Sequence, residues 1–257
     1  MSEEPKFRCS YELDSRLDHD LVALNQEIYR FLQSSIEGVH QLKSDADGMP
    51  DGVQYYLLYA SALVYGAADA VLTLALHNLG REARLLERQM FECWVRAAYY
   101  ADHPAEARIA LHATPFSERA ILDELGYERD SERYRAVVAA CEEVELRQPE
   151  SRGYREPRIT SIIDPGKNPE LMRFYALHYR VTSQMAHATF AGSGNIWSED
   201  GVSFDSREAL PNFAIESSTV YLLAFLELVD KHLELGVSRA VDEFKRRWNE
   251  IFNRLAA

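Results

Sequence analysis

Apolar residues recur at every third or fourth position along most of this chain, the spacing of one helix face turned to a core. Leu17, Leu21, Leu24, Ile28, Phe31, Leu32 and Ile36 make such a stripe, which predicts a helix over Leu13–Leu42. The polar, Gly- and Pro-containing run from Asp45 to Gly52 breaks it. A second helix is expected from Val53 to Leu79; it is apolar on most faces, the pattern of a buried central helix, and Gly80 stands where a C-terminal cap belongs. A third helix, Arg81–Tyr100, carries Leu85, Leu86, Met90, Phe91, Trp94 and Ala98 and stops before Pro104. Two shorter helices are expected at Ala105–Ala113 and Phe116–Leu125, then one at Ser131–Leu146. The last two span Asn212–Leu235 and Val237–Leu255, with Gly236 between them. No pair of alternating strands, no repeat and no low-complexity segment is evident.

Two irregular stretches interrupt this pattern. Arg147–Pro169 holds Pro149, Gly153, Pro157, Pro165, Gly166 and Pro169, and Gly192–Pro211 follows one helix later. Loops of this length inside a compact fold usually serve a site. They flank one predicted helix, and that helix holds the most unusual polar pattern in the chain.

Composition narrows the class. With 257 residues, 47% hydrophobic and 27% charged, the chain has ample material for a core, and only 12 Gly and 9 Pro suit long helices. These features predict one all-α domain over residues 1–257, a bundle of seven to nine helices with its core at about 53–195 and C-terminal helices at 212–255. A net charge of −13 argues against broad, non-specific binding to nucleic acid or anionic membranes, while leaving room for a small basic pocket. The acidic N-terminus does not read as a signal or transit peptide, and Cys9, Cys93 and Cys141 are scattered, as expected of reduced thiols in a cytoplasmic protein. Leu57–Leu76 approaches the length of a membrane span, but Asp69 within it and the lack of basic flanks favour a core helix and no membrane association.

On the flanked helix, Tyr179, Arg180, Ser183 and His187 lie at helical spacing in an otherwise apolar segment. At 100° per residue Arg180 and His187 point within roughly 20° of each other, two turns apart, with Ser183 between them. Arg173 projects along nearly the same line. Arginine presents a planar fork to phosphate, and histidine titrates near neutrality. Those are the minimal parts for metal-independent RNA cleavage by a ribose 2′-hydroxyl. The same groups would also serve as a hydrogen-bonded seam in a helical core. On the third helix Arg88 and Glu92 are i,i+4 neighbours among apolar residues, and Arg81 and Arg84 share their stripe. They read either as pocket residues or as an interhelical lock. Glu37-x-x-His40 is half of a di-iron motif with no second half, so neither a metal centre nor any other cofactor is expected. No phosphate-binding glycine loop occurs.

The paired patterns R-x3-E (Arg88, Glu92) and Y-x3-S-x3-H (Tyr179, Ser183, His187) resemble a bacterial all-helical domain family of unknown function, over about residues 55 to 195. The arrangement is also similar to the HEPN superfamily, whose catalytic members carry Arg-x4–6-His, as Arg180 and His187 do here. That resemblance implies a helical bundle, a homodimer with facing motifs, and metal-independent endoribonuclease activity in toxin–antitoxin or phage-defence settings, with RNA and an antitoxin or defence protein as partners. It assigns acid/base work to His187, phosphate stabilisation to Arg180 and orientation to Ser183, with Arg88, Glu92, Tyr179 and Arg173 as binding residues. Other relatives keep the bundle without catalysis, so a helical interaction or dimerisation module is the competing expectation.

Overall fold

A computed structural model describes residues 14–39, 42–44, 50–163, 175–180, 197–198, 201–202, 210 and 212–256. The protein is all-α. Among the described residues there are eight α-helices: α1 (His19–Glu37), α2 (Gly52–Leu76), α3 (Gly80–Asp102), α4 (Pro104–Glu124), α5 (Glu132–Arg147), the single turn α6 (Ile159–Ile162), α7 (Phe213–Leu233) and α8 (Ser238–Leu255). A 3-10 turn, Pro149–Ser151, and a π-helical turn, Tyr175–Arg180, complete the helical elements.

The chain divides into two compact units. The first comprises Met1–Val39, Ala60–Trp94 and Asp164–Ala257, and the second His40–Tyr59 and Val95–Ile163.

In the first unit, α1 starts where the Asp18 carboxylate accepts from the Leu21 N–H at 2.9 Å. Asp18 is an ordinary N-cap, so the helix begins at His19, six residues after the start that hydrophobic spacing alone predicts. The Leu21, Leu24, Ile28 and Leu32 stripe is fully buried, as expected. Asn25 is sealed among these residues and donates to Ser218 Oγ (3.1 Å) and Thr219 Oγ1 (2.9 Å) on α7. The Asp18 N–H reaches Asn212 Oδ1 at 2.8 Å, so α1 and α7 run parallel. Helix α8 returns antiparallel to α1. Phe244 meets Phe31 edge to face at 5.4 Å, Arg247 pairs with Glu27, and Arg254 reaches both Asp18 and Asp20 at 2.7 Å. The exposed pairs contribute little energy, so apolar burial along α1, α7 and α8 dominates.

The second unit is held by different means. Leu122, Tyr134, Val137 and Cys141 form a small core between α4 and α5, with Phe116 and Val138 against it. Arg96 binds Glu156 (2.9 Å) and the Pro157 carbonyl (3.2 Å), and Ser151 Oγ donates to the Ile109 carbonyl (3.2 Å). These contacts fasten the stretch that follows α5.

Several local expectations are corrected. Helix α4 is continuous where two helices were predicted, with Pro115 inside it. Proline there forfeits one backbone bond, but α4 buries Ala107, His112 and Ala113 before it and Leu122 after it, and packing carries the helix through. Gly80 opens α3, and Asn78 takes the left-handed turn (φ 61°). The turn closes with the Leu79 N–H on the Leu74 carbonyl at 2.8 Å, a conformation asparagine tolerates better than most residues. Trp197–Ser198 pairs antiparallel with Gly201–Val202, although no strand pair was expected. Two residues per strand are too few to show alternation. Helix α2 is long and apolar enough to cross a bilayer, alone among the described helices. Its buried residues include Leu57, Ala60, Val64, Ala67, Ala68, Val71, Leu72 and Ala75, which recur at the spacing of a packed face.

Two outcomes follow for stability. A Cβ at Gly52 would lie 2.8 Å from the backbone of Ala107 and Arg108, so Gly52→Ala is expected to destabilise by about 1–3 kcal/mol in urea unfolding. Asp230 closes the turn between α7 and α8, accepting from the Val237 N–H (2.9 Å) and Ser238 Oγ (2.6 Å). Burial alone would raise its pKa, but these bonds and the Gly236 N–H outweigh it and hold the carboxyl below its usual range. Its contribution is therefore complete above the ordinary carboxyl value, near pH 4, and is lost as pH falls through the lower folded value. Thermal unfolding should show Asp230→Ala about 1 kcal/mol less stable near neutrality, with the gap closing below about pH 4.

Candidate functional site

Helix α3 presents two kinds of side chain on adjacent faces. Ala83, Met90 and Phe91 are sealed in the core, while Arg88 and Glu92 sit one step around the helix, each about a quarter exposed. As i,i+4 neighbours they pair, Arg88 Nε donating to Glu92 Oε1 at 3.0 Å.

The π-helical turn brings Tyr179 to this pair. Arg88 donates through NH2 to the Tyr179 hydroxyl at 3.3 Å, and its guanidinium carbon lies 4.9 Å from the centre of the Tyr179 ring. Two residues 91 positions apart, one from each sequence pattern, thus share a hydrogen bond and a cation–π contact. Tyr175 stacks on Tyr179 with ring centres 5.1 Å apart. Phe91 receives both rings, Tyr175 at 6.4 Å and Tyr179 at 5.7 Å, and also touches Trp94 (6.1 Å) and Tyr221 of α7 (6.0 Å). One turn earlier on α3, the Arg84 guanidinium lies over the Phe213 ring at 4.6 Å.

The electrostatics fix protonation states. Burial would lower the Arg88 pKa, but the hydrogen bond to Glu92 and the neighbouring Glu92 and Tyr179 oxygens outweigh it, and the net shift is upward. Arg88 is a permanent cation. Burial raises the Tyr179 pKa, and the charge of Glu92 raises it further against the opposing pull of Arg88. The phenol is neutral at physiological pH. Together with Glu92 they form an ion-paired guanidinium beside a neutral hydroxyl.

The sequence-predicted residues divide sharply. Arg88, Glu92 and Tyr179 are brought together. Arg180 closes the π-helical turn. Arg173, Ser183 and His187 lie outside the described residues, as does His40. Within the described residues, Tyr175–Arg180 is π-helical and not α-helical. Such turns occur preferentially at functional sites. Sequence reasoning missed Glu87, Tyr175 and Tyr221. Glu87 carried a usable signal, being an acidic residue at a core position of the stripe through Ala83, Met90, Phe91 and Trp94. Tyr175 and Tyr221 carried none, because tyrosines at helical core spacing are ordinary. No group of three or more His, Cys, Asp or Glu among the described residues is arranged to hold a metal ion.

Both patterns fall inside one family match. A model described as a family of unknown function, DUF5677, matches residues 54–204. The chain belongs to this family. The matched region contains Arg88 and Glu92 as well as Tyr179, Ser183 and His187, and is close to the span of about 55 to 195 expected from the resemblance. No curated protein and no solved structure matches the chain.

The linked charges give a direct check on the site. Burial is the main cause of the raised Tyr179 pKa and Glu92 adds to it, so Glu92→Gln removes the second contribution and the phenol should titrate at lower pH than in the wild type. A tyrosine ring-carbon NMR titration, with the signal assigned by Tyr179→Phe, reads this shift.

Proposed function

We propose that the protein is a HEPN-like, metal-independent endoribonuclease of the cytoplasm, acting as a homodimer in a toxin or phage-defence role. The observation that carries this reading is the bond from Arg88 to Tyr179, because it places the R-x3-E pair of α3 beside the segment that leads into Arg180. The Arg88 guanidinium, shared with Glu92, and the neutral Tyr179 hydroxyl are the groups that would meet a phosphodiester there.

In this reading His187 removes the proton from a ribose 2′-hydroxyl, whose oxygen attacks the adjacent phosphorus. Arg180 stabilises the charge gathering on the phosphoryl oxygens, and Ser183 orients the imidazole or the phosphate. The bond to the 5′-oxygen breaks, and that oxygen takes a proton from a histidine acting as acid. The products are a 2′,3′-cyclic phosphate and a 5′-hydroxyl. Arg88, Glu92, Tyr179 and Arg173 bind and orient the strand. An antitoxin or defence protein would restrain the activity.

One observation favours a second reading. Phe91 gathers Tyr175, Tyr179, Trp94 and Tyr221 into a continuous aromatic cluster, and a non-catalytic interaction module would use the same contacts, with Arg88 and Glu92, as a lock between helices.

RNA cleavage in the presence of a chelator separates the two. The wild type should cut and His187→Ala should lose roughly 10²–10⁴-fold in rate with its helical signal intact. A folded wild type that leaves varied RNAs uncut, or a His187→Ala variant that cuts equally well, sinks the nuclease reading.

A further inference from the structure

Burial along the strap that follows α5 has a period of three. Ser151 is sealed and Tyr154 and Pro157 are half-buried, while Arg152, Arg155 and Arg158 are exposed. The backbone accounts for this period. Gly153, at φ 77°, turns the chain at the start of the strap. Beyond it Pro157 keeps Glu156 out of the helical region, and Arg158 has φ −66° and ψ 146°, polyproline II values. Such a backbone makes one turn every three residues, so every third side chain returns to the same edge.

The inward edge is fastened at each step. Ser151 Oγ donates to the Ile109 carbonyl (3.2 Å), the Tyr154 hydroxyl meets that of Tyr100 (3.4 Å), and the Pro157 carbonyl accepts from Arg96 (3.2 Å). All of these residues belong to the second unit. Arg96 also pairs with Glu156 at 2.9 Å, the one acid between Arg155 and Arg158. Arg152 pairs with Glu145 of α5, whereas among the described residues no carboxylate pairs with Arg155 or Arg158. Two exposed guanidiniums thus stand on one edge, three residues or about 9 Å of polyproline II backbone apart.

We propose that the arginine edge of this strap, Arg155 and Arg158 with Arg152 at its start, binds the phosphate backbone of single-stranded RNA. A guanidinium fork takes two phosphate oxygens at once, and a row of cations suits an anion that repeats along a strand. Fastening the backbone beforehand spares the ordering cost that a loose basic loop incurs on binding. Contacts of this kind hold a strand without reading its sequence. The net charge of −13 repels polyanions from the rest of the surface, which confines binding to the edge. That RNA is the anion rests on the function proposed above; an acidic peptide is the competing ligand.

Fluorescence anisotropy with a labelled oligouridine tests the edge, on a His187→Ala background that keeps the strand whole. At about 0.1 M salt, Arg155→Gln with Arg158→Gln should raise Kd about tenfold. It should also flatten the dependence of log K on log salt by about 1.4, two contacts at about 0.7 each. Both positions are exposed, so circular dichroism and melting temperature should stay unchanged. Arg129→Gln with Arg135→Gln removes the same charge from exposed positions of the second unit off the strap, and should leave Kd within about twofold. Equal loss from the two pairs overturns the proposal, as does unchanged affinity and slope in the strap variant, or no oligouridine binding before either pair is changed. Polyglutamate bound as tightly as the RNA, with the same dependence on Arg155 and Arg158, overturns RNA as the ligand. A wild type that binds oligouridine through these arginines and leaves it uncut refutes the nuclease reading and supports the edge.

Discussion

The burial of one ring, Phe91, governs the candidate site. It sits on α3 with no solvent exposure and is touched by aromatic rings from the same helix, from the π-helical turn and from α7. Aromatic pairs of this kind add roughly 0.5–1.5 kcal/mol each beyond area burial. They also restrict geometry, since a tilted ring has few positions that keep four neighbours in contact. Phe91 packs against the same tyrosine ring that Arg88 meets, one turn away on α3.

Around that ring the charges of α3 separate by face. Arg88 and Glu92 are half-buried and paired, while Glu87 is sealed one position before Arg88. The chain as a whole is strongly acidic, and at this pair the Arg88 charge is balanced by Glu92, beside a neutral phenol. The ion pairs between α1 and α8 are of another kind: exposed, weak and distributed, they accompany an interface that apolar burial already holds together.

The candidate site was partly legible beforehand. Arg88 and Glu92 could be paired from i,i+4 spacing alone, because a helix fixes which neighbours meet. Their meeting with Tyr179 depends on a fold that brings together residues 91 positions apart, and no local rule supplies that. The same boundary separates successes from corrections in the helices. The α1 stripe was readable because an amphipathic period is a local signal; the continuity of α4 through Pro115 was not, because proline's local penalty is overcome by residues packed on either side of it. Asn78 replaced Gly80 at the α2–α3 turn because several residues can take a left-handed conformation and chain geometry chooses among them.

By itself the sequence determined that this is a helical protein, where most helices run, and which stripe of α1 is buried. All of that follows from hydrophobic period, and period acts over a few residues. It also determined that Arg88 and Glu92 stand together and that Tyr179 belongs to an unusual polar pattern. Tertiary structure alone decided that these two features meet, that a π-helical turn replaces α-helical phase at Tyr175–Arg180, and that Glu87 is sealed where its neighbour Arg88 reaches water. The reason is that burial and partnership are properties of several helices at once, whereas a helix's own period records only that one of its faces will be covered.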